Sequence, residues 1–175
     1  RIFECIPPPK LLLLNRPAMT YKDKLDLSLW PVIDSQWRYI QQSNNLKLTE
    51  LSLKNNFDIT DATLKEIGST QHTTLKNISL EGCNSLLLKN GLTAMLSKCL
   101  LLETLDISGC QHVYDETIKL ICIHCKGLQN LLLDGCKAIT DKCHRHIIEG
   151  SMVHLKLLST KRCPQIVGKH LGELL

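Results

Sequence analysis

The residues best equipped for chemistry lie in the last third of the chain. Cys122-Ile123-His124-Cys125 sets two thiols at C-x-x-C spacing, and Cys143-His144-Arg145-His146 follows about 20 residues on. Sulfur and nitrogen donors at such intervals are what a tetrahedral zinc ion uses. Nine cysteines in 175 residues also raise the question of disulfides. Which chemistry is open to these groups depends on the elements that carry them.

Those elements repeat. Leu75-Lys76-Asn77-Ile78-Ser79-Leu80-Glu81-Gly82-Cys83 returns as Leu102 to Cys110, as Leu128 to Cys136, and in weaker form as Leu155 to Cys163. The intervals between the four cysteines are 27, 26 and 27 residues. A fixed period of this size with the phrase L-x-x-L-x-L-x-x-C/N marks a leucine-rich repeat. The fold class expected is α/β: a right-handed solenoid of five to six repeats, with parallel strands on the concave face and helices on the convex face.

In this register most of the thiols become architecture. Cys83, Cys110, Cys136 and Cys163 stack in one slot as small buried hydrophobes, their S–H groups available to the loop backbone. Cys99 and Cys125 end successive helices. Subtracting the period of 26 sets Cys143 level with Thr117 and His144 level with Ile118, near a helix start, whereas Cys122 lies at a helix end. The groups are then about five residues, or roughly 7 Å, apart along neighbouring helices, too far for one ion with ligands at about 2.3 Å. No metal and no cofactor is expected, and His144 reads as a hydrogen-bonded or half-exposed histidine of an end repeat. Gly82, Gly109 and Gly135 precede the repeat cysteines and read as turn glycines rather than a phosphate cradle.

Residues 1–22 fit no repeat; Pro7-Pro8-Pro9 favours an extended arm. The repeat domain is placed at 23–175. Repeat one puts Trp30 in the cysteine slot and a helix over about 33–42, with Trp37 and Ile40 facing inward. Repeat two has Asn56 in the slot, and Thr60-Asp61 signals a helix start. Tyr114-Asp115 and Thr140-Asp141 repeat that signal, while repeat three is one residue longer. Repeat six carries Thr160 where a leucine belongs and ends as a closing cap or a broken edge.

Side chains between the fixed leucines point to the concave face, because strand side chains alternate. They are the candidate partner-binding residues: Glu50, Ser52 and Lys54; Asn77, Ser79 and Glu81; Thr104, Asp106 and Ser108; Asn130, Leu132 and Asp134; and Lys161. Repeat one adds Lys24, Asp26 and Ser28. Glu81, Asp106 and Asp134 form a shallow acidic stripe that ends at Lys161-Arg162.

The net charge is +4. From Lys137 onward seven Lys/Arg stand against three Asp/Glu, so the whole excess lies there and residues 1–136 are neutral. Such an end suits an acidic partner or a solvated repeat; the interleaved aromatics that a nucleic-acid platform uses are missing. An odd thiol count implies a reducing compartment: cytoplasm or nucleus, alternatively the mitochondrial matrix. Leu11 to Leu14 is far too short to cross a bilayer. The chain begins at Arg1 rather than Met, which implies processing or truncation.

Ile59-Thr60-Asp61-Ala62-Thr63-Leu64 after the Leu-to-Asn56 phrase, with Cys99 and Cys125 closing helices, resembles the cysteine-containing leucine-rich repeat. That subtype is typical of F-box/leucine-rich-repeat and antagonist-of-mitotic-exit-network type proteins, and the resemblance covers about 24–175. It implies a non-catalytic protein–protein interaction scaffold, an adaptor or substrate-recognition unit of the ubiquitin-ligase type. No F-box pattern is found in 1–22. The alternative is an accessory subunit or assembly factor of a large mitochondrial or ciliary complex, with the arm held on a neighbour. No enzyme activity, nucleic-acid partner, membrane insertion or small-molecule substrate is expected.

Overall fold

Three-residue strands with one buried residue between two outward ones recur because only the central leucine of each phrase faces inward. The computed structural model describes residues 20–21, 23–44, 47–87 and 90–168. Its strands are β1 (Thr20–Tyr21), β2 (Lys24–Asp26), β3 (Glu50–Ser52), β4 (Asn77–Ser79), β5 (Thr104–Asp106), β6 (Asn130–Leu132) and β7 (Leu157–Ser159). The helices are α1 (Asp34–Asn44), α2 (Asp61–Thr70), α3 (Asn90–Leu96), α4 (Asp115–His124) and α5 (Lys142–Glu149). The strands lie in sequence order in one sheet, and β2 to β7 are all parallel. Leu25, Leu51, Ile78, Leu105, Leu131 and Leu158 stand side by side in register. The repeating strand–helix units form an α/β solenoid of the leucine-rich-repeat kind.

Behind the sheet the core is a file of leucines and isoleucines between strands and helices. Leu53, Leu80, Ile107 and Leu133 are buried behind the strand ends, and Leu64, Leu92, Ile118 and Ile147 come from the helices. Helix α1 starts one residue later than expected and runs two residues further. Trp37 and Ile40 do face inward, and Trp37 is fully buried.

The turn after each strand is a second invariant. Asn55, Gly82, Gly109, Gly135 and Arg162 occupy the same position, with φ between 59° and 72°. Glycine meets that left-handed requirement without steric cost. The next residue fills the cysteine slot. Its N–H closes the turn onto the strand-end carbonyl at 3.0–3.3 Å in Trp30, Asn56, Cys83, Cys110 and Cys136 alike. Trp30 therefore does occupy the slot in repeat one, half-buried.

Two features were not anticipated. Thr20–Tyr21 pairs antiparallel with β2 and covers that edge of the sheet; the rest of the 1–22 arm lies outside the described residues. Helices α2 and α3 approach at glycines: a Cβ on Gly68 would stand 2.7 Å from Met95 Cα, and one on Gly91 would stand 2.6 Å from the Asp61 carbonyl oxygen. The expected apolar positions Leu171 and Leu174 of repeat six lie outside the described residues.

Candidate functional site

Parallel strands stacked at one register bring their outward side chains into rows, and on the concave side they line a shallow groove of about 520 Å³. Glu50, Ser52, Asn77, Ser79, Thr104, Asp106 and Leu132 line it, joined by Lys24 and Asp26 of repeat one. Lys54, Glu81, Ser108, Asn130, Asp134 and Lys161 lie outside that groove.

Most of the polar groups there are already bonded to the neighbouring repeat. Lys24 Nζ lies 2.6 Å from Glu50 Oε1, and Lys54 Nζ lies 2.6 Å from Glu81 Oε2. Ser79 Oγ donates to Asp106 at 3.1 Å, Asn130 Nδ2 donates to Thr104 Oγ1 at 3.0 Å, and Ser159 Oγ donates to Asp134 at 2.6 Å. The side chains of Ser28 and Ser52 donate to Asp26. Burial pushes the Asp26 carboxyl up, but these bonds and the Ser28 N–H outweigh it and hold it below the usual value.

This changes the expected acidic stripe. Glu81 is neutralised by Lys54, and Asp106 and Asp134 spend oxygens on the N–H groups of Ser108 and Lys161 as well as on serine hydroxyls. Ser108 is not on the open face. It is buried, and its Oγ accepts the Asp134 N–H at 3.2 Å. The face is thus polar and internally compensated, with Leu132 half-buried and Leu157 48% exposed toward its far end.

The cysteine slot works as a row of donors. The thiols of Cys83, Cys110, Cys136 and Cys163 donate to the carbonyls of Leu53, Leu80, Ile107 and Leu133 at 3.0, 3.1, 3.3 and 3.1 Å. Asn56 does the same with Nδ2 on Leu27 at 3.0 Å and adds what a thiol lacks, accepting the Val32 N–H at 2.6 Å. Burial pushes Cys83, Cys99 and Cys122 up to about 11, and Cys110, Cys125, Cys136 and Cys143 up to about 12. Such thiols are protonated at neutral pH, and the nucleophile or metal ligand is the thiolate. Among the described residues no three His, Cys, Asp or Glu groups gather where they could hold one ion. His144, read as hydrogen-bonded or half-exposed, is instead 2% exposed with Nδ1 unpartnered.

The helix-start aspartates also do more than their local role. Thr60 Oγ1 caps α2 by accepting the Ala62 N–H at 3.2 Å, but the carboxylates reach into the next repeat. Asp34 accepts the Thr60 N–H and the Thr60 and Thr63 hydroxyls. Asp61 accepts from Leu87 and Gly91, Asp115 from Thr140, and Asp141 from Val167 and Gly168. Repeat three has Leu88 in that place, and the Tyr114 N–H turns to Thr117 Oγ1 of its own helix instead. The 26-residue recurrence of Asp was visible in the sequence; its cross-repeat bonding was not.

The fold and the bonded rows define a repeat scaffold with an open concave sheet. A comparison with known protein families finds no match. No described helix is long and apolar enough to cross a membrane.

Proposed function

We propose that the chain is a non-catalytic protein-interaction scaffold whose concave sheet face holds a partner polypeptide. The supporting observation is the groove of about 520 Å³: it is broad and shallow, and its charges are paired across strands. A surface whose charges are already compensated offers hydrogen bonds and shape rather than a reactive group, which suits a polypeptide better than a small molecule held in an enclosed pocket. The cysteine slot and the Ile-Thr-Asp helix start further favour a relative of the F-box type repeat proteins, hence an adaptor or substrate-recognition unit.

The test is affinity purification with mass spectrometry on the chain and on an Asn77→Arg, Thr104→Arg variant, which fills the groove without touching the core. Selective loss of one set of partners, with a Skp-type ligase adaptor among those recovered, supports the reading. Identical partner sets from folded wild type and variant would remove its basis.

A further inference from the structure

We infer that the open edge of repeat six takes an extended acidic segment of a partner protein as an added strand. The inference rests on the protein-interaction reading but uses a different surface. Along the solenoid each strand passes two N–H groups to the next. Leu27, Leu53, Leu80, Ile107 and Leu133 donate to Ser52, Ser79, Asp106, Leu132 and Ser159 at 2.8–3.1 Å. Asn55, Gly82, Gly109 and Gly135 donate to Glu81, Ser108, Asp134 and Lys161 at 2.7–2.8 Å. The next members of the two rows are the N–H groups of Thr160 and Arg162, which find no partner among the described residues. An edge in this state is a template for another strand.

The charges select the occupant. Lys54 pairs with Glu81, the residue at its own position one strand on. Lys161 stands at that same position in repeat six and is exposed, with no ion pair among the described residues. Arg162 beside it is likewise unpaired and exposed. It holds φ +59°, a conformation that repeats three to five give to glycine and that costs a side chain about 1 kcal/mol. Lys137 is also exposed on the neighbouring turn, to which repeat six is tied by the bond from Gln165 Nε2 to the Lys137 carbonyl. Cations on an edge repel an identical edge, so a second copy of this chain is disfavoured there while a carboxylate is drawn in. Leu158 and Ile166 are only half-buried, whereas Leu131 in the preceding repeat is fully buried. The added strand therefore carries an apolar residue over Leu158 and an acidic one beside Lys161.

The probe is a fluorescein-labelled 12-residue peptide alternating Glu and Val, titrated by anisotropy against the 175-residue chain. Saturable binding is expected, weakened roughly fivefold by Lys161→Gln with Arg162→Gly, as removal of two exposed ion pairs predicts. Arg162→Gly relieves the backbone, so a folding defect does not account for that loss. N-methylation of alternate peptide residues is expected to abolish binding by blocking the strand pairing. No saturable binding, equal binding by the N-methylated peptide, or indifference to the two substitutions overturns the inference. So does tighter binding of a 12-nucleotide oligothymidine, which would assign the cations to a phosphate polymer. The Asn77→Arg, Thr104→Arg variant should bind the probe unchanged; its loss of cellular partners bears only on the concave face.

Discussion

The two ends of the solenoid solve the same problem differently. At the first end β1 pairs antiparallel with β2, Trp37 fills the space behind the sheet, and Asn56 ties repeat two to both Leu27 and Val32. Gln71 adds a buried contact, accepting the Leu48 N–H and donating to Gln41 at 2.7 Å each. At the other end β7 has a bare edge, Leu155, Leu158 and Ile166 are half-buried, and His144 occupies an apolar slot. Cations follow the same division. Lys24, Arg38, Lys54 and Lys76 pair with glutamates of the next repeat, whereas Lys161 and Arg162 do not. In a quasi-one-dimensional array stability is a sum of unit and neighbour terms, so the first end is built to be finished and the last to be joined.

The largest test of this contrast is alkaline pH. The thiols of repeats three to five titrate at about 11 to 12 in the folded chain, above the ordinary 9.0. Because the folded value is raised, their contribution is complete below pH 9 and is lost as pH rises toward 12. One unit of displacement corresponds to about 1.4 kcal/mol per group, so even half of that over several thiols exceeds any single truncation. Repeats one and two have Trp30 and Asn56 in the slot instead. Both tryptophans of the chain lie in repeat one, so circular dichroism should fall before tryptophan fluorescence changes. Coincident transitions would mean that the ends are not energetically distinct. Cys110→Ser, which keeps a donor and removes an ionisation, should move the alkaline midpoint upward.

Truncation gives the next largest effect. Trp37→Ala empties a fully buried site and should cost about 3–5 kcal/mol. Leu158→Ala, at a half-buried position of the open end, should cost about 1 kcal/mol. Urea unfolding followed by circular dichroism measures both. Equal losses would show that the last repeat is as well packed as the first.

The sequence exposed the strands, the slot and the turn because each follows from one period of 26–27 residues and a two-residue alternation. What it hid depends on contacts between repeats. Lys54 and Glu81 are 27 residues apart, and only the aligned register shows that they cancel. Ser108 follows the alternation but is drawn beneath the Asp134 N–H by the turn. Gly68 and Gly91 look like weak points of helices until α2 and α3 are seen to meet there. Asp61 reads as a helix cap, and its longer reach to Gly91 appears only when the next repeat is in place. Of the concave face, the positions were legible and the charge balance was not.

The smallest and sharpest pair of tests restores the repeat pattern at its two exceptions, one near each end, and expects opposite signs. Asn56→Cys installs the residue used by repeats three to six. It should nevertheless destabilise by about 1–3 kcal/mol, because the buried Val32 N–H loses its acceptor and an orphaned buried donor carries that cost. His144→Leu installs the residue type found at Leu64 and Leu92. It should stabilise by about 1 kcal/mol, because it replaces a buried ring whose Nδ1 has no partner with a side chain that needs none. Thermal and urea midpoints read both. If Asn56→Cys is neutral, the first end is held by packing alone and its polar ties are incidental. If His144→Leu destabilises, the ring makes a contact through its other nitrogen, and the open end is more tightly specified than its bare edge implies.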